Sequence, residues 1–195
     1  MAQVKKAGMR EAILEAAFKL FCDKGYASTT MSEIARSAGM TVANLYVYFD
    51  SKLSILYEIY TPWLLAQLDD LRKRVQKCRM PRTRLRRVFV GVWRDIPAAD
   101  QSFANTLIEA LAGAPRNRGK STDLLSRVEA FMTVLIAENL PSARAHVLEN
   151  GLLSHVIWMA FDGFAINLRI GDLRDVDAIA DLMADLLLGM PQPDQ

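Results

Sequence analysis

Apolar residues recur along this chain at three- and four-residue steps almost from end to end, and the two-residue alternation of a half-buried strand is nowhere sustained. Only a helix brings residues three and four apart onto one face, so the spacing restricts the fold to packed helices. The first case is Arg10, Ile13, Leu14, Ala17 and Phe21, widened by Phe18 and Leu20, with Gly25 as a left-handed stop. Thr30-Met31-Ser32-Glu33 reads as a capping box, with Ile34 and Ala35 inward and Ala38-Gly39 ending that short helix. Thr41 suits the cap of a next helix running to about Tyr48, and Asp50 or Ser51 opens a fourth. That fourth helix is expected over 52–77, bent near Pro62. Others are expected near 83–95, 100–112 and 121–139, with the clearest loop from Gly113 to Lys120. A long helix should start at Pro141-Ser142, reach Arg169 or Ile170 and stop at Gly171; a last one should cover about 174–188. The fold class is all-α.

With 51% of its 195 residues apolar and 24% charged, the chain has the makings of a packed core and not of a disordered tail. The longest nearly uninterrupted apolar run, Val156 to Phe161, falls far short of the roughly 18 residues a membrane span needs. The opening MAQVKKAGMREAIL carries charge where a signal peptide has its apolar core. A cytoplasmic protein with no membrane partner is the expectation.

Little points to catalysis. There is no glycine-rich phosphate loop and no nucleophile elbow. His146 and His155 stand nine apart on the expected long helix, on opposite sides, and so share no metal there. Neither enzyme activity, nor a cofactor, nor a metal is expected. Cys22 and Cys78 form no disulfide framework; Lys77 and Arg79 beside Cys78 could favour a thiolate, but both thiols read as incidental.

Net charge is +2 overall but unevenly spread: residues 1–52 carry +2, residues 53–87 carry +6 and the remainder −6. A basic front and acidic back suit a polyanion-binding end joined to a part that avoids polyanions. By charge alone, solvated helix faces are the favoured reading. The segment from Thr30 to Phe49 has the grammar of a helix-turn-helix: a capped helix, a tight small-residue turn, then a second helix with Leu45 and Phe49 inward. Thr41, Val42, Asn44, Tyr46 and Tyr48 point outward, a set that can reach base edges and phosphates in a major groove. The same grammar also fits a plain packing unit, which would make the chain an interaction module that binds no DNA.

From Arg10 to Leu56 the residues become distinctive: IL-x-AA-x-x-LF-x-x-x-GY-x-x-TT-x-x-x-IA-x-x-AG, and then LY-x-YF-x-SK. About a quarter of the chain thereby resembles the TetR family of bacterial transcriptional regulators. The resemblance implies a three-helix DNA-binding head over 1–51, joined to a larger helical ligand-binding and dimerisation domain over 52–195. It implies phosphate contacts from Thr29, Thr30, Tyr46 and Lys52, base reading at or beside Thr41, Val42, Ala43 and Asn44, and Tyr48 where the family often has His. The reading helix carries no Arg to grip guanine; Val42 and Ala43 favour thymine methyls, with Asn44 the main polar reader. Lys5 and Lys6 are either a phosphate-binding arm or a loose tail, and the basic run Arg72 to Arg87 reads as a solvated connection.

Beyond Leu56 the letters no longer match, but the patterns remain informative. Val176, Ile179, Ala180, Met183, Leu186, Leu187 and Met190 form one seam, with Asp177, Asp181 and Asp185 opposite. Leu153, Ile157, Ala160, Phe164 and Leu168 form another on the long helix. Two such helices per subunit could build a four-helix homodimer interface, as in the family. The other side of the long helix offers Leu148, Leu152, His155, Met159, Asp162 and Ile166. His155 and Asp162 could orient a ligand there, although a hydrogen-bonded core His and an interface Asp are the more ordinary reading. Trp63, Phe89, Trp93, Phe103, Phe131, Trp158 and Met159 are core, or line a cavity for a hydrophobic or aromatic effector of the kind the family implies. The expectation is a ligand-responsive repressor whose partners are a double-stranded operator, a small-molecule effector and a second copy of itself.

Overall fold

The computed structural model describes residues 2–113, 119–171 and 175–189, with side chains from residue 7 onward except at 119–122 and 169. Every regular element among them is helical. In order these are α1 (Ala2–Lys24), α2 (Met31–Ser37), α3 (Val42–Tyr48), α4 (Lys52–Gln76), α5 (Pro81–Val90), α6 (Ile96–Ser102), α7 (Ala104–Ala112), α8 (Gly119–Ala137), α9 (Leu152–Ile170) and α10 (Val176–Leu188). A π-helical turn, Gly91–Asp95, joins α5 to α6, and a 3-10 segment, Ser142–Gly151, precedes α9. The expected loop core at 114–118, the side chains of Lys5 and Lys6, and Met190 of the expected seam lie outside the described residues.

By packing, the chain forms two compact units: 1–64 with 100–117, and 65–99 with 118–195. In the first, α1 packs on α2 and α2 on α3 around Ile13, Ala17, Phe21, Ile34, Ala35, Leu45 and Phe49, all buried. Tyr60, Phe103, Trp63 and Phe18 add an aromatic cluster: the Phe18 and Phe103 rings meet edge-on at 4.9 Å, and those of Trp63 and Phe103 at 5.0 Å. In the second, α5 packs along α10, α8 along α9, and α9 against the π turn.

Three elements depart from the expected pattern, each for a local reason. The helix expected over 83–95 continues through the π turn into α6, because Pro97 has no N–H for the carbonyl of Trp93. The Ile96 amide bonds the Gly91 carbonyl instead. Where one helix was expected over 100–112, Asp100, Gln101 and Ser102 take positive φ values of 47, 57 and 65°, and α7 begins only after Phe103. A left-handed residue costs about 1–2 kcal/mol; burial of Phe103 and the 2.6 Å bond from Trp63 Nε1 to Asp100 Oδ2 hold the turn. The long helix expected from Pro141 is broken as well. Asn150 (φ 64°) and Gly151 (φ 68°) are left-handed, so α9 starts at Leu152 and Leu148 and His146 are not on it. His146 and His155 therefore do not stand on one helix.

The same break bears on the membrane question. By length and composition, Ser142–Leu168 does qualify as a possible span among the described residues, contrary to the expectation that no stretch would. It is two helical pieces, however, and its apolar residues divide between the core and one exposed stripe.

The acidic back of α10 is not free, and neither is the basic run. Arg82 donates to Asp185 through Nε (2.6 Å) and Nη2 (2.9 Å) and pairs with Asp181 through Nη1 at 2.9 Å. Arg86 reaches Asp177 at 2.6 Å and Asp181 at 3.1 Å, and Arg94 reaches Asp177 at 2.5 Å. These bonds hold the Arg82 and Arg86 guanidiniums above their ordinary pKa and the Asp185 carboxyl below its own. Arg72 lies over the Phe131 ring at 4.5 Å. Arg82 and Arg86 of the basic run thus join an α5–α10 ladder, which Arg94 extends, rather than the solvated connection expected.

Candidate nucleic-acid interface

The α2–α3 pair is built as its sequence dictates. Glu33 N–H donates to Thr30 Oγ1 at 3.2 Å while Thr30 N–H donates to Glu33 Oε2 at 2.9 Å, closing the capping box. Lys24 Nζ adds a 2.5 Å bond to Glu33, and these contacts bring its carboxyl down to about 2. Gly39 supplies the positive φ (69°) of the turn, and Thr41 Oγ1 accepts from Asn44 N–H at 3.2 Å to open α3. With Leu45 fully buried and Phe49 nearly so, the opposite face of α3 is committed to solvent.

That outward face carries Thr41, Ala43 and Asn44, all exposed, Val42, half-buried, and Tyr46, 53% exposed. Val47, 69% exposed, belongs with them but was not among the expected readers. The helical step from Ala43 to Val47 was the available signal. Tyr48 is half-buried and Thr30 exposed beside the α2 terminus. Two expected phosphate contacts are placed differently. Thr29 is 1% exposed, with its hydroxyl donating to the Gly25 carbonyl at 2.8 Å, so it braces the chain inside and does not face outward. Lys52 Nζ donates to the carbonyls of Tyr26 (2.6 Å) and Thr29 (2.7 Å) and lies 4.0 Å from the Tyr26 ring centroid. Burial lowers its pKa.

The turn that Lys52 holds from one side is held from the other by α7. Glu109 Oε2 accepts from the amides of Tyr26 (3.0 Å) and Ala27 (3.3 Å), which lie in the turn beyond the end of α1. A contact spanning more than 80 residues has no signature in the sequence. Arg10 likewise pairs with Glu58 and lies over the Phe49 ring. Burial, Asp100 and Asp23 push the Cys22 thiol up to about 11, which disfavours its thiolate.

The nine residues expected to line a ligand cavity fall into separate groups. Trp63 and Phe103 belong to the aromatic cluster of the first unit. Phe89, Trp93 and Phe164 stack in the second, where Trp93 Nε1 donates to the Ile157 carbonyl at 3.1 Å. Trp158 stacks on Phe161, and Phe131 lies under Arg72. His155 Nδ1 meets Glu129 Oε1 at 2.5 Å, close to the 2.6 Å Thr133–Ser154 hydroxyl contact. Met159 and Asp162 are exposed. The two sides of α9 differ in exposure. Of the expected dimer residues, Ile157 is 1% exposed and Leu153, Ala160, Phe164 and Leu168 are half-buried. The exposed stripe is Leu152, Val156, Met159, Ile166 and Ile170. On α10, Leu187 is buried, Ile179 and Met183 are half-buried, and Leu186 with Leu182 is exposed.

Residues 13–59 match the family model "Bacterial regulatory proteins, tetR family". The chain is 30% identical over 160 residues to the HTH-type transcriptional regulator RutR of Escherichia coli K12, covering 80% of this chain and 73% of RutR. It is 47% identical over 47 residues to IcaR of Staphylococcus aureus, the negative regulator of the biofilm operon icaADBC, covering 24% of this chain and 25% of IcaR. Among solved structures, FadR from Bacillus subtilis in complex with stearoyl-CoA superposes with a TM-score of 0.68 at 18% identity, covering 93% of this chain and 99% of that one.

Proposed function

The chain belongs to the TetR family of DNA-binding transcriptional regulators, and from that premise we propose that it is a cytoplasmic homodimeric repressor released from its operator by a small amphiphilic or hydrophobic effector. The observation that carries this reading is the outward face of α3: a helix capped by Thr41 that presents Ala43, Asn44, Tyr46 and Val47 to solvent. Asn44 would read a base edge, Ala43 and Val47 would meet thymine methyls or sugars, and Tyr46 with the α2 terminus would hold phosphates. Lys52 serves chiefly by fixing the 26–29 turn. The functional division lies at 51/52, with the reading head before it and effector binding and dimerisation after it.

A second copy would cover the exposed α9 stripe together with Leu182 and Leu186, in place of the Ile157 face expected from sequence. IcaR's negative action favours a repressor, and FadR's stearoyl-CoA favours an amphiphilic effector. An effector shifts the balance between operator-bound and free arrangements only by its difference in affinity for them. The route we assign runs along α4, which continues unbroken from Lys52 to Gln76. The reading gives the chain no catalytic step. It is tested by fluorescence anisotropy with DNA from upstream of its own gene. Asn44→Ala should change which sequence is preferred, Tyr46→Phe should weaken all sequences alike, and no binding at low salt would refute the reading.

A further inference from the structure

The second unit holds a cleft of about 610 Å³ between the start of α5, the 138–141 turn and the end of α10. None of the residues expected to bind an effector lines it. We propose that this cleft binds an amphiphilic monocarboxylate whose apolar body also carries an N–H or O–H donor. Its volume falls within the range that encloses a small organic ligand. Met80, Leu140, Pro141 and Leu188 give it apolar walls, which suit a hydrocarbon body and not a cluster of waters.

Two polar features select the rest of the ligand. The first is the beginning of α5, a ten-residue helix whose N-cap Met80 makes no side-chain bond. Pro81 has no N–H, so the Arg82 and Thr83 amides are the orphan donors of the first turn, at the positive end of the helix dipole. Arg82 is spent on Asp185 and Asp181, whereas Arg84 uses only Nε, on the Cys78 carbonyl at 2.7 Å. Its two Nη groups have no partner among the described residues and can grip a carboxylate. Glu138 on another wall disfavours a second negative charge.

The second feature is Asn139, only 6% exposed. Its Nδ2 donates to the Leu135 carbonyl at 2.7 Å, which fixes the amide's orientation, and its Oδ1 is buried without any donor. A buried acceptor left unmet is costly, and a ligand N–H or O–H would relieve it. The uncapped start of α5 alone would call for any anion; with Asn139 the demand is for an anion that also donates.

That such a ligand is the effector rests on the regulator reading; that it binds does not. The test is isothermal titration calorimetry on the full chain with N-octanoylglycine, its methyl ester and octanoate. N-octanoylglycine should bind, and the ester, lacking the charge, and octanoate, lacking the N–H, should each bind about tenfold more weakly or worse. Arg84→Ala should abolish the preference for acid over ester, and Asn139→Leu the preference for N-octanoylglycine over octanoate. Thr83→Trp fills the cleft from an exposed position and should leave the melting temperature unchanged while removing binding. No heat with N-octanoylglycine, or equal affinity in Thr83→Trp, overturns the site. Operator binding measured in parallel separates the two readings. Intact operator binding without probe binding overturns the site alone, and probe binding without operator recognition overturns only the regulator reading.

Discussion

Met159→Lys and Ile157→Ala distinguish the two faces of α9. Met159 is 60% exposed on the stripe assigned to the second copy, whereas Ile157 is 1% exposed inside the chain. Full burial of such a side chain is worth about 1.5–3 kcal/mol, so covering the exposed share of Met159 contributes roughly 1–2 kcal/mol. In a two-fold dimer the contact occurs twice, giving about 2–4 kcal/mol, and a lysine adds the cost of a desolvated charge. Sedimentation equilibrium should show the dimer constant weakened by about a hundredfold in Met159→Lys, with the monomer's melting temperature little changed. Ile157→Ala should do the reverse, lowering stability by about 2–4 kcal/mol through a core cavity while the folded chains still associate. A Met159→Lys dimer as tight as wild type, with dissociation of folded Ile157→Ala chains, would refute the assignment of faces.

Other perturbations probe the head and the second unit. Lys52→Met keeps the packed stem but strands the Tyr26 and Thr29 carbonyls; it should cost about 2 kcal/mol in urea unfolding, and a loss below about 0.5 kcal/mol would reduce Lys52 to a surface cation. Gly91→Ala places a Cβ 2.3 Å from Leu71 Cδ1, so thermal melting should report a loss of about 1–3 kcal/mol, partly recovered by adding Leu71→Ala. Glu33 titrates at about 2 against 4.5 for an unperturbed carboxyl. Its lowered value means that the stability from the capping box is complete above pH 4.5 and is lost as pH falls through about 2. Glu33→Gln should remove that part of the acid dependence, as read by the protection of the Thr30 amide from hydrogen exchange.

Legibility in the sequence tracked the range of the forces involved. The α2–α3 pair was readable because caps, turn glycine and inward residues all lie within 20 positions and agree with one another. Thr29 and Lys52 were harder: a threonine near a helix start suits a phosphate equally well, and nothing local says that its hydroxyl turns back to Gly25. The break before α9 was signalled by Asn150-Gly151, a turn dipeptide overridden by the surrounding helical spacing. The π turn was likewise implicit in Pro97. The two faces of α9 could not be told apart because both are apolar; only packing against Trp93 decides that Ile157 and Phe164 point inward. The Arg–Asp ladder joins residues 83 to 103 positions apart, and Glu109 lies 83 positions from Tyr26 in the turn it holds. Each half alone reads as solvated charge.

If paired α3 helices read one face of a duplex, footprinting on the fragment upstream of its own gene should show two protected half-sites. These should be related by a two-fold axis, with centres about one helical turn (~34–36 Å) or a multiple of it apart. Both should be lost together in Met159→Lys at concentrations where that variant is monomeric. A single protected patch, or protection that survives in the monomer, would contradict it.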